Sequence, residues 1–275
     1  MNKAIEQSVK EKLKLIVKES GIKFNRLLDT LFLERILVRI SKSKYKEKLI
    51  LKGGMCLNQF LELGRGTKDI DFLLRDLTSN EQNLKTVFDE IVGIDVKDGF
   101  QFDPVEVSQL SLENKKYPGF RLTIIGYLGQ VKNKSTIDIG VGDVVRASLL
   151  DVELMKSKRP FFEESVELHA YPVEYIFSEK YEAIIYLDEI NGRMKDYYDC
   201  FKLIEENMLN APQLKQAISD TFTKRGTDLT PIPNEIKSVL RARWENFLSK
   251  EKIPKIEFQE VVERINDFLK KQNVL

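Results

Sequence analysis

Between Leu49 and Leu74 the chain reads LILKGGMCLNQFLELGRGTKDIDFLL, and the order of these parts leaves few folds open. A short apolar run ends in a glycine pair, an apolar helical stretch follows, and Asp-Ile-Asp then starts a second apolar run. Asp69 and Asp71 are two residues apart, so on a strand both leave one face while Ile70 and Phe72 leave the other. One face is expected in a core and the other carries two carboxylates. Gly53 and Gly54 place no Cβ between backbone N–H groups and an anion, and the N-terminus of a following helix favours negative charge. The pair is read as a phosphate-docking turn. Two carboxylates held this close repel unless a cation lies between them, and oxygen ligands of this kind suit hard Mg²⁺ or Mn²⁺. An isolated Asp-x-Asp is ordinarily a pair of solvated acids; the glycine pair upstream argues against that here.

The surrounding pattern changes period twice. Ile5, Val9, Leu13 and Ile16 recur at helical spacing with Gly21 as a C-cap, and a second amphipathic helix is predicted from Phe24 to Ile40. A helix from Ser79 to Val92 follows the Asp strand. Then come VEVSQLSLE, FRLTIIGYLGQ and STIDIGVGD, β-rich segments separated by Pro118-Gly119 and a polar turn around Asn133. Asp138 lies between Ile137 and Ile139 in the third segment, where it becomes a third carboxylate if that strand neighbours the Asp strand. Asp143 is the alternative, but it follows Gly140 and Gly142 and reads as a turn residue. From Val173 the pattern is helical: Val173 to Leu187, Lys195 to Glu206, Ala211 to Arg225, Asn234 to Leu248 and Glu257 to Lys271, with breaks at Gly226 and Pro231-Ile232-Pro233. The fold class expected is α+β. A mixed sheet with flanking helices occupies 1–171, and a C-terminal helical lobe, 172–275, contributes to the cleft.

Lys44-type basic runs matter because the chain has no net field: 44 Lys plus Arg oppose 43 Asp plus Glu, a formal charge of +1 over 275 residues. A polyanion must then be met by a local patch. Lys42, Lys44, Lys46 and Lys48 lead into the strand ending at Gly53 and are expected on the same side as the acids; Lys224-Arg225 with Arg241 and Arg243 form a second candidate. No run approaches ~18 apolar residues and the charged N-terminus lacks a signal peptide's apolar region, so a cytoplasmic protein without membrane association is expected. Cys56 and Cys200 make no metal-spaced cluster, and the only histidine, His169, is read as structural.

In the first C-terminal helix Lys180 shares a face with Ile176, Ile184 and Leu187, so it either snorkels past the core or meets a buried anion. The next helix opens with RMKDYYD. Asp196 and Asp199 lie one turn apart behind Arg193 and Lys195, which taken alone reads as ordinary helix-end charge.

The ordered set of GG, R-x-T-x-D-I-D-F at Arg65 to Phe72, a later strand acid, Lys180, and R-x-K-D-x-x-D at Arg193 to Asp199 resembles the AbiEii/AbiGii-type nucleotidyltransferase toxins of the polymerase-beta-like superfamily. The resemblance spans about Leu49 to Ile204. It implies that Gly53 and Gly54 face phosphate, that Thr67 supplies a hydroxyl, and that Asp69 and Asp71 hold the metal with Asp138 as third carboxylate. It gives Lys180 a contact with the nucleotide triphosphate and makes Asp196 the acid of the last motif, with Arg193 and Asp199 beside the nucleotide. One departure stands out: Met55 follows the glycines where relatives often have Ser or Thr. The implied activity moves a nucleoside monophosphate from an NTP to an acceptor such as the 3′ end of tRNA, releasing pyrophosphate, with two divalent ions assisting. Such toxins pair with an antitoxin encoded alongside and halt bacterial growth, often in phage defence. The NTP and acceptor are not legible; a small molecule or protein hydroxyl would attack the same phosphate, and a silent binding protein of the same fold is the remaining alternative.

Overall fold

The computed structural model describes residues 3–63, 67, 69–110, 119–155, 160–188 and 192–275; Arg65 of the motif and Pro118 lie outside them. The chain divides into two compact units. The first comprises Met1–Gln59, Thr67–Gly142 and Ala147–Ala170, and the second Phe60–Gly66, Asp143–Arg146 and Tyr171–Leu275.

In the first unit α1 (Lys3–Ser20) and α2 (Phe24–Lys42) precede β1 (Leu49–Lys52), α3 (Gly53–Leu57), β2 (Asp69–Leu74) and α4 (Glu81–Val92). The strands β3 (Phe100–Phe102), β4 (Glu106–Gln109), β5 (Gly119–Leu128), β6 (Val131–Val141), β7 (Ser148–Val152) and β8 (Val166–Ala170) follow. They form one mixed sheet in the order β3-β5-β6-β2-β1-β8-β7, with β4 also paired to β5. The second unit holds α5 (Val173–Leu187), α6 (Met194–Glu205), α7 (Ala211–Arg225), α8 (Ser238–Glu251) and α9 (Phe258–Lys271). The chain is α+β, as its patterning predicts.

β2 sits at the centre of the sheet, antiparallel to β1 and parallel to β6. Ile70 and Phe72 are fully buried on one face, and Asp69 and Asp71 are partly buried on the other. That alternation is what a period of two demands. The sheet packs on α2 through β6 and β8, and α2 departs from expectation: every residue from Leu31 to Ile40 is buried, not one stripe. Glu34, Arg35 and Arg39 are carried inside with it. Buried charge must be paired, and Asp98 does most of the pairing. It receives Arg35 Nε at 2.7 Å and Arg39 at 2.7 and 3.0 Å, while Arg35 also grips Glu164 with both terminal nitrogens. Glu34 accepts the Met155 N–H at 2.8 Å, and burial pushes its carboxyl up to about 8.

Two local readings are corrected by the structure, and two strands are added to them. The β5–β6 turn is the two residues Gly129-Gln130, with Gly129 at φ +62°, and Asn133 lies within β6, its amide donating to Asp29. The three-residue β3 is too short to show a period, and β3 and β7 are recognised by their pairing with β5 and β8. Helix α8 begins at Ser238 and not Asn234. The Asn266 side chain of α9 accepts from Ile232 N–H and donates to Ile232 carbonyl, at 3.0 and 2.8 Å, which holds that segment out of a helix. Among the described residues no helix is long and apolar enough to cross a membrane.

Candidate active site

β1 ends at Lys52 and the chain turns directly into α3. Gly53 adopts φ +68°, and a Cβ built on it would stand 2.0 Å from Asp71 Oδ2 and 2.8 Å from Asp71 Cβ. Glycine is therefore required twice, for the left-handed backbone and for the space the Asp71 carboxylate occupies. The glycine that suggested an anion site also seats one of the acids. The helix that follows has five residues, too few for a substantial macrodipole, so the anion argument rests on the turn itself and not on α3. Met55 is buried, its side chain committed to the core where a hydroxyl would have been sought. Gly53→Ala should displace Asp71 and lower nucleotidyl transfer by about 100-fold, the scale of a 1 Å misplacement. The melting temperature should fall only a few degrees; unchanged turnover in this variant would show that Asp71 does not need its observed position.

Register brings four charged residues into one row across four strands. Lys52 of β1 is opposite Asp71 of β2, Asp71 is beside Asp138 of β6, and Asp138 is opposite Arg121 of β5. One step along β2, Asp69 is in register with Thr136, whose hydroxyl donates to its carboxylate. Thr67 donates its hydroxyl to the Asp69 carbonyl at 3.1 Å. Asp138 is held by Arg121 through two parallel bonds, Nε at 2.8 Å and Nη2 at 2.7 Å. Asp143 is outside β6 and is paired with Arg225, at 3.1 Å, in the second unit.

Among the described residues no three His, Cys, Asp or Glu side chains converge as a metal-holding group. Both oxygens of Asp138 are taken by Arg121, leaving Asp69 and Asp71 as the carboxylate donors of one face. Two carboxylates, with the rest of the shell from water and substrate phosphate, is the usual protein share of a Mg²⁺ site, so the donor set fits such an ion.

A second cluster forms within the helical unit. Lys180 of α5 is nearly buried, and its ammonium donates to Asp196 at 2.8 Å and pairs with Asp199 at 2.7 Å; both acids are fully buried on α6. Of the two readings open for Lys180, the buried anion holds. Arg193, half exposed at the mouth of α6, reaches Asp196 Oδ2 at 2.7 Å. Burial opposes the charge on Asp196, but Lys180 and Arg193 overcome it and hold its carboxyl below the ordinary range. Asp196 and Asp199 thus reach the lysine first, and helix-end charge is not their role. Cys200, on the same helix, is a buried free thiol pushed well up by burial.

These elements, in this order, can be set beside known proteins. A family profile, "Nucleotidyl transferase AbiEii toxin, Type IV TA system", matches residues 35–264. The chain belongs to the AbiEii nucleotidyl transferase toxin family. It is a nucleotidyltransferase of a family drawn from type IV toxin–antitoxin systems. A comparison with curated proteins returns no match. Among solved structures it is similar to JHP933 from Helicobacter pylori, at 16% identity and TM-score 0.47, covering 90% of this chain and 94% of that one. A candidate nucleotidyltransferase from H. pylori is similar at 16% identity and TM-score 0.45, covering 88% and 96%.

Within this AbiEii chain, one expectation about the surroundings of the acids is overturned. The basic turn at Lys42 to Lys48 precedes β1, and the glycine turn ends it. Because β1 is antiparallel to β2, Lys48 carbonyl receives Arg75 N–H beyond the far end of β2, while Lys52 faces Asp71. At ~3.3 Å per residue those ends are roughly 13 Å apart. A strand separates its two flanking loops; it does not bring them together. Lys44 is moreover paired with Glu90 at 2.8 Å. The other basic candidate also loses a member, since Arg225 is committed to Asp143, Glu179 and Glu182. His169 lies on β8, two strands from β2, with Nδ1 buried and without a hydrogen-bond partner among the described residues. Sequence reasoning passed over Lys52, Arg121 and Thr136. The positions of Arg121 and Thr136 on the polar face follow from alternation in β5 and β6, whereas Lys52 ends a strand that is otherwise buried throughout, and the alignment of all three with the acids is a matter of register.

Proposed function

We propose that this protein transfers a nucleoside monophosphate from an NTP to the 3′ end of a tRNA, acting in the cytoplasm as a growth-arresting toxin held in check by a cognate antitoxin. The observation that carries the reading is the pair Asp69 and Asp71 on the open face of β2, seated against the Gly53 turn, in a chain of this family. Asp69 and Asp71 would hold Mg²⁺ or Mn²⁺. When bound, such an ion polarises the phosphate and eases deprotonation of the attacking hydroxyl. The chain's own groups supply the rest. Backbone N–H groups at Gly53 and Gly54 meet phosphate oxygens, and Thr136 and Thr67 fix Asp69 through its carboxylate and its carbonyl. Lys180 offsets triphosphate charge as the family resemblance implies, with Asp196 and Asp199 fixing its ammonium. The acceptor hydroxyl attacks the α-phosphate, a new P–O bond forms, and the bond to pyrophosphate breaks.

The test is to incubate purified protein with each α-labelled NTP, total bacterial RNA and divalent metal. Label should enter RNA of tRNA size with one NTP preferred, and should vanish with chelator. Expression in a bacterium should slow growth. Label on a protein or small molecule, with RNA unlabelled, would replace the tRNA reading by the same chemistry on another hydroxyl.

A further inference from the structure

Arg121 has no role in the motifs that identify the family, yet its placement is specific. It is in register with Asp138, and its Nε and Nη2 grip that carboxylate in the two-bond fork that only arginine makes. The Arg121 side chain is 45% exposed and that of Asp138 19%, so the outer edge of the guanidinium meets solvent. Nη1 makes no hydrogen bond among the described residues. Arginine carries five N–H donors in a rigid plane, and this grip uses two. Hydrogen bonding to Asp138 chiefly strengthens the guanidinium's hold on its proton, against partial burial, and the charges of Asp138, Asp69 and Asp71 add to it. The cation therefore lies within electrostatic reach of both metal-site acids.

We propose that Arg121 contacts a phosphate of the bound nucleotide and that Asp138 positions it, in place of serving as a third metal ligand; this rests on the nucleotidyl-transfer reading above. A metal ion at Asp138 would meet the repulsion of the Arg121 cation already bound there. A phosphate is instead attracted by that cation, and the open edge of the guanidinium faces outward with matching geometry. A cation fixed before the substrate arrives stabilises developing phosphate charge without reorganising at the moment of reaction. The row then reads as two acids bracketed by two cations, Lys52 and Arg121, with Asp71 serving metal and Asp138 serving arginine.

The test is calorimetric, on the full chain, with Mn²⁺ alone and then with a non-hydrolysable NTP analogue in its presence. Arg121→Ala should weaken analogue binding about 10- to 100-fold, as loss of a charge-assisted hydrogen bond does, and leave Mn²⁺ affinity no weaker. Arg121→Lys should recover only part, since an ammonium lacks the fork. Asp138→Asn should weaken the analogue but not Mn²⁺, and the double variant should be no worse than Arg121→Ala, because both changes remove one contact. The proposal is overturned if Asp138→Asn costs Mn²⁺ binding tenfold or more, or if Arg121→Ala binds the analogue as the wild type does. A wild-type chain that binds no NTP analogue with metal present would instead sink the nucleotidyl-transfer reading, and Arg121's role with it.

Discussion

Asp69→Ala should abolish nucleotidyl transfer, by at least ~1,000-fold, while the melting temperature stays within a few degrees of wild type. Asp69 lies on the polar face of β2, only partly buried, and shares that face with Asp71 and Asp138. Removing one charge from mutually repelling carboxylates relieves a cost of folding. What is lost is the hydrogen bond from Thr136, about 1.5–3 kcal/mol for a charged acceptor. The two effects oppose each other and leave little net change in stability. Transfer has no such compensation, since the proposed metal ion would lose one of the two carboxylates that would hold it. Labelled-NTP assays and thermal melts on the same preparation separate the cases. A fall of ten degrees or more would make Asp69 a structural residue, and retained transfer would move the metal elsewhere.

Asp98→Asn should produce the largest loss of stability, about 3–5 kcal/mol, with no chemistry involved. Asp98 is 1% exposed and is the shared partner of Arg35 and Arg39, both nearly as buried. Among the described residues, replacing it leaves the two buried guanidinium groups with one ion-paired carboxylate, Glu164, on Arg35 alone. In thermal terms that is a fall of roughly 10 °C or more. The pH dependence gives a second check. Burial opposes the Asp98 charge, but Arg39 and Arg35 outweigh it and hold the carboxyl below its ordinary value. A carboxylate with a lowered folded-state pKa contributes stability that is complete above its unfolded value, about 3.9, and is lost as pH falls through the folded value. The gap between wild type and Asp98→Asn should therefore hold its full width down to about pH 4 and narrow as pH falls further, through the lowered folded value. A gap independent of pH would mean that packing, not charge, is the cause.

Much of the site could be read from the chain itself because its signals are local. Two acids two residues apart must share a strand face, and a glycine pair between an apolar strand and a helix must turn. Lys180 within an apolar stripe could not be placed by that logic; it required the two acids of α6, which supply the buried anion. The Lys42 to Lys48 turn went wrong for a related reason. Adjacency in sequence is not adjacency in space, because an extended strand puts its ends at opposite edges of the sheet.

The amino-acid sequence by itself determined the acidic face of β2 and the helical C-terminal half, through residue spacing within single elements, and the α+β class and the family, through the order of such elements along the chain. Tertiary structure alone decided that α2 is an interior helix held by Asp98, that Gly53 gives its missing Cβ volume to Asp71, and that Asp138 faces Arg121. These are pairings between strands and helices distant in the chain. A shift of one residue in register would reverse the faces while leaving the composition, the spacing and every local motif unchanged.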